Sequence, residues 1–169
     1  MSPRLSKAVQ YVLFGGMLAA ALALMSLKVV LPPDERSIDA IIVHCTATPL
    51  GRAVTVDDID RWHKARGWKG IGYHYVVDLE GKVPAGRPRA QTGAHCRGHN
   101  AHRIGVCYVG GLDAQGRPAD TRTPEQKEAI RKLIGMLQKK YPNAKVYGHR
   151  HFNNTACPCF DADTEYAEP

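Results

Sequence analysis

The sequence predicts an α/β fold: a single domain with a central mixed β-sheet flanked by helices, preceded by an N-terminal transmembrane or signal-anchor helix. Three observations lead there. Short apolar runs at 38–44, 104–109 and 144–147 have the length and continuity of buried strands. Helix starts at Thr55 and Thr123 are each followed by apolar residues at helical spacing. Residues 8–27 carry no charge, and a helix of about 20 residues spans roughly 30 Å, the thickness of a bilayer's hydrocarbon core.

Taken in order, residues 1–33 form the anchor and linker and residues 34–169 the globular domain. Arg4 and Lys7 precede the apolar run. By the positive-inside rule they place the domain outside the cytoplasm, in the cell envelope and tethered to the membrane through residues 8–27. Gly15, Gly16 and five alanines make the run weakly hydrophobic. Two other readings therefore stand beside the anchor: a cleaved signal peptide with Ala21-Leu22-Ala23 as a small-x-small site, and a buried helix of the domain itself. Pro32-Pro33 stops a helix and keeps the linker extended.

The domain opens with a strand over Ile38–His44. Thr55 is the expected cap of the first helix, with Asp57 and Asp58 favouring its positive end, Val56, Ile59 and Trp62 on its buried face, and Gly67 as its stop. Tyr73–Leu79 and Lys82–Ala85 read as a hairpin about Glu80-Gly81. Ile104–Val109 is a further strand, closed by Gly110-Gly111. Thr123-Pro124-Glu125-Gln126 combines a capping threonine, proline at the first helical position and glutamine placed for a capping box. Ile130, Leu133, Ile134 and Leu137 continue that helix as an apolar stripe until Pro142-Asn143, and Ala144–Tyr147 is the last strand.

The formal net charge is +7. Part of it comes from the acid-free first 33 residues, and the surplus left on the domain is modest. It fits a soluble charged surface or an anionic polymer such as bacterial cell wall or nucleic acid, without choosing between them. The five cysteines define no disulfide framework by themselves. Cys45 and Cys107 sit in apolar runs as reduced core residues, and Cys96 and Cys159 are left open.

The stretch from Tyr147 to Asp161 carries the chemistry. His149 and Cys157 stand eight positions apart across a loop of small and polar residues. An imidazole and a thiolate on such a loop can turn to one metal ion, and zinc accepts that ligand mixture. His44, at the end of the first strand, supplies a third donor. Two strand-end histidines and a loop cysteine leave the fourth position of a tetrahedral zinc open, the pattern of a catalytic site. His63 and His74 read as structural, and His99, His102 and His151 as exposed.

With those residues identified, 38–161 resembles the zinc-dependent N-acetylmuramoyl-L-alanine amidases of the bacteriophage-lysozyme type, whose domain is shared with the peptidoglycan recognition proteins. The resemblance runs through Ile42-Val43-His44-Cys45-Thr46-Ala47-Thr48, Trp62-His63-Lys64 and Gly72-Tyr73-His74-Tyr75. It continues through Gly86-Arg87, Gly93-Ala94-His95, Asn100, Ile104–Gly111, Gly148-His149-Arg150 and Ala156-Cys157-Pro158.

The resemblance implies hydrolysis of the amide joining muramic acid to L-alanine of the stem peptide, with a peptidoglycan or muropeptide substrate, no nucleic acid, and a monomer. It implies Zn2+ held by His44, His149 and Cys157, a catalytic Tyr73, an assisting Thr155 and a substrate-groove His95. A phenol can donate to a developing oxyanion, whereas Thr155 donates only weakly and lacks the charge of the lysine some members carry. Relatives that lose the cysteine ligand only bind muropeptides, so a non-catalytic binding module is the alternative, and Cys157 argues for the enzyme. His151 stands where many relatives have an acid, which alters the surroundings of the metal ligands.

Overall fold

The computed structural model describes residues 36–167. The anchor expected over residues 8–27, and the rest of 1–33, lie outside the described residues. Among the described residues no helix is long and apolar enough to cross a membrane.

The chain runs β1 (Ala40–Cys45), β2 (Thr48–Pro49), α1 (Val56–Ala65), β3 (Tyr75–Val77), β4 (Arg103–Tyr108), β5 (Gly111–Leu112), α2 (Pro124–Lys140), β6 (Lys145–Gly148), a 3-10 turn (His149–His151) and α3 (Ala162–Glu165). The main sheet has the order β3-β4-β1-β6. Its ladders are parallel, with Ile41 opposite Ile104 on one side and Val146 on the other. An antiparallel bridge between Tyr75 and Ala85 makes the sheet mixed at its β3 edge. Parallel neighbours need long crossovers, and the segments carrying α1 and α2 provide them.

β1 is central because all six of its residues are apolar or find a buried partner, and all six are buried. Alternation then sorts its side chains. Ile41, Val43 and Cys45 join Ile104, Val106 and Tyr108 in a core closed by Ile130, Leu133, Ile134 and Leu137 of α2. His44 turns to the other face, where Tyr73 and His95 lie. A smaller cluster of Val54, Ile59, Ile71, Val76 and Val109 seats α1.

Both helices start where the caps predict. Thr55 with Asp58, and Thr123 with Gln126, form reciprocal capping boxes. Gln126 also donates from Nε2 to the carbonyls of Val77 (3.2 Å) and Val109 (2.9 Å), tying the start of α2 to two strand ends. The expected Lys82–Ala85 strand reduces to the single bridge at Ala85. The turn still closes, with Asp78 N donating to Lys82 O at 3.0 Å and Val76 N to Pro84 O at 3.3 Å, but Pro84 has no N–H to return. The short β2–β5 ladder, paired at Thr48 and Gly111, was not anticipated.

Candidate metal centre

Sheet register builds the site. β1 and β6 run parallel with Val43 opposite Gly148, so His44 and His149 follow at one level on the carboxyl edge, their rings 4.5 Å apart. Ligands gather at that edge in open parallel sheets. The loop after the 3-10 turn returns Cys157 to the same point. It is pinned by Arg150 N donating to Cys157 O at 2.8 Å and by the buried Tyr108 hydroxyl donating to Pro158 O at 2.7 Å. Cys45 N donates to Cys157 Sγ at 3.3 Å. One donor atom each from His44, His149 and Cys157 lies within 4.8 Å of the others, and among the described residues no further His, Cys, Asp or Glu joins that group.

The electrostatics suit metal ligation. Burial, and then the neighbouring His95 and His149, hold His44 well below the usual imidazole range. Burial also lowers His149, against the opposing effect of a hydrogen bond to the Asn153 side chain. Both rings therefore stay neutral with a lone pair to give. His44 Nδ1 faces Cys157 Sγ at 3.8 Å, while its Nε2 meets His95 Nδ1 at 3.0 Å. Donation from the far ring nitrogen to a fixed partner sets both tautomer and orientation of a ligating histidine.

His95 was expected in the substrate groove. The structure buries it at 7 % exposure behind His44, because Gly93 and Gly105 leave room for its ring. Burial, followed by the nearby His74 and His149, lowers its pKa to about 3.

Tyr73 lies against the site, with its ring centroid 5.2 Å from that of His44 and 5.3 Å from that of His63. Burial, and then the thiols of Cys107, Cys157 and Cys45, raise its pKa well above the ordinary phenol value, and its hydroxyl hydrogen-bonds Cys107. The phenol thus keeps its proton at neutral pH. Thr155 Oγ1 accepts from Cys157 N at 3.3 Å, shaping the ligand loop. Cys159, the other thiol of that loop, points instead to Gly111 O at 3.2 Å.

His63 and His74 are structural as expected: their Nδ1 atoms accept from Gly72 N and Gly105 N, each at 2.9 Å. Three supporting residues escaped the sequence reading. Asn153 joins His149 to the buried Cys96, whose Sγ donates to Asn153 Oδ1 at 3.3 Å. Asp163 of α3 accepts from Gly148 N at 2.7 Å and pairs with His151 Nδ1 at 2.6 Å. Asp163 thereby ties down the residues on either side of His149.

These features define the class: an α/β domain that gathers two histidines and one cysteine, a candidate metal site, on the carboxyl edge of its sheet. The sequence matches the Amidase_2 family, described as N-acetylmuramoyl-L-alanine amidase, over residues 34–160, and the chain belongs to that family. It is 42% identical over 128 residues to the endolysin of Escherichia phage T7, covering 76% of this chain and 85% of that one. The fold is similar to that of the N-acetylmuramoyl-L-alanine amidase LysC from Clostridium intestinale URNW, with a TM-score of 0.66, 29% identity, and 78% and 83% of the two chains covered. It is also similar to peptidoglycan recognition proteins LCa and LCx in their complex with tracheal cytotoxin, at a TM-score of 0.61, 26% identity, and 73% and 77% coverage.

The comparison corrects one expectation. The expectation of a membrane-anchored enzyme of the cell envelope does not stand, because the chain's relatives include the endolysins of Escherichia phage T7 and Klebsiella phage KP32.

Proposed function

We propose that the domain hydrolyses peptidoglycan at the amide between N-acetylmuramic acid and L-alanine of the stem peptide, using zinc held by His44, His149 and Cys157. The convergence of those three donor atoms within 4.8 Å, in a chain of the amidase family, carries this reading. A thiolate and two neutral imidazoles fit zinc in charge and softness. Bound there, zinc supplies a Lewis acid for the amide carbonyl and brings the pKa of a water near neutrality.

The protein's own groups do the rest. His95 fixes the His44 ring, and Asn153 with Asp163 fixes His149 and the strand end that bears it. Tyr73, kept protonated by its surroundings, donates its hydroxyl to the carbonyl oxygen as negative charge builds there, a contact worth roughly 3–4 kcal/mol. Thr155, whose oxygen already accepts from Cys157 N, keeps its own proton to donate to substrate.

Mass spectrometry of peptidoglycan digested by the purified protein tests the reading. Free stem peptides and peptide-free glycan strands are the expected products. Muropeptides with the lactyl-alanine bond intact would refute it.

A further inference from the structure

Three thiols crowd the metal centre, and the site uses one of them. Cys45 is 5 % exposed in the core and follows His44 on β1, so its side chain leaves the opposite face of the strand. Its Sγ lies 3.8 Å from Cys159 Sγ, and Cys159 is only partly buried. Neither belongs to the donor group of His44, His149 and Cys157. Two sulfurs at that distance need close by only about 1.8 Å to reach a disulfide bond length of roughly 2.05 Å.

We propose that Cys45 and Cys159 form an oxidisable dithiol whose disulfide staples the metal-ligand loop to the central strand and leaves Cys157 free to bind. The oxidant is a low-molecular-weight disulfide, RSSR. Cys159, the more accessible thiol, loses its proton to solvent, and its sulfur attacks one sulfur of RSSR. The S–S bond breaks, and the first RS⁻ leaves and takes up a proton. Cys45 sulfur then displaces the second RS⁻ from Cys159 and gives up its own proton. Two electrons and two protons pass to RSSR, yielding one protein disulfide and two RSH.

The bond would join positions 114 residues apart. It would hold the stretch bearing His149 and Cys157 from its far side, just as β6 holds it from the near side. Ligand positions would then persist when metal is withdrawn. Readout by bond and melting temperature keeps this proposal separable from the amidase reading.

The test uses the full chain, reduced and then equilibrated with oxidised glutathione, followed by alkylation and non-reducing peptide mapping. A Cys45–Cys159 linked peptide is expected, with Cys157 still alkylatable after metal removal. The metal-free oxidised protein should melt about 5–15 °C above the reduced form, as a long closed loop implies. Cys159→Ser should give neither bridge nor shift while binding zinc as the reduced protein does. Cys45→Ala serves as a second variant and should stop at a glutathione adduct on Cys159. A Cys45–Cys157 bridge, a wild-type adduct that never resolves, or no oxidation at all would overturn the proposal.

Discussion

His44 presents its two ring nitrogens to two different partners: Nδ1 to Cys157 Sγ at 3.8 Å, and Nε2 to His95 Nδ1 at 3.0 Å. The side of the ring turned to the proposed metal site and the side held by His95 are thereby separated. His95 can hold that position because β4 has glycine at 105. A Cβ there would fall 2.5 Å from His95 Cδ2.

Gly105→Ala should therefore displace His95 without touching a ligand. Zinc affinity is expected to fall about 10–100-fold, the range for losing a partner behind a ligating histidine. Chelator competition measures this, with circular dichroism to check that the sheet survives. Unchanged affinity would show that His95 does not orient His44.

Cys157→Ser should abolish turnover and lose zinc by more than the about 100-fold expected of a supporting residue, since a neutral hydroxyl is a poor substitute for a thiolate. Muropeptide binding should persist, because the loop is also held through Tyr108 and Arg150. Metal analysis and a binding titration on the same sample separate the two effects. Full zinc in this variant would move the ligand elsewhere.

Tyr73→Phe should lower kcat by about 10²-fold, the scale for one oxyanion donor. KM should change little, because the contact forms mainly in the transition state. A loss confined to KM would make Tyr73 a binding residue.

His63 gives a pH dependence. Burial, then the charges of Arg66 and Arg87, lower its pKa from 6.5 to about 4, with Asp60 opposing. The folded value is the depressed one, so below about pH 6.5 the unfolded chain takes up a proton that the folded chain refuses. Stability from this group is thus complete above pH 6.5 and falls as pH drops toward 4, by at most about 3 kcal/mol. His63→Asn keeps an acceptor for Gly72 N and removes the titration. Its urea midpoint should fall less than that of wild type between pH 7 and 4.5. Parallel curves would clear His63 of the effect.

Much of this was legible in the chain because local chemistry fixed it. Thr55 and Thr123 announced both helices through caps that need only neighbouring residues, and the apolar runs announced β1, β4 and β6. The donors His44, His149 and Cys157 stood at strand ends and in a loop of suitable spacing. What escaped depends on distant pairings. The two-residue ladder of β2 and β5 has no periodicity to read. Asp163 looks like any helix-start acid until α3 sets it against Gly148 and His151. His95 could be matched to a groove by resemblance, yet its burial behind His44 depends on a glycine on another strand.

The placement of β1 has a kinetic consequence. It is the first strand of the sheet in sequence, and both its partners come later, roughly 60 and 100 residues on. Its two edges must wait for those partners before the ladder hydrogen bonds on both sides are made. High contact order of this kind slows folding and lengthens the time an aggregation-prone strand lies open. Refolding from denaturant should accordingly be limited by the docking of β4 and β6 on β1, and the hydrolytic centre can come into being only with the second of those two events.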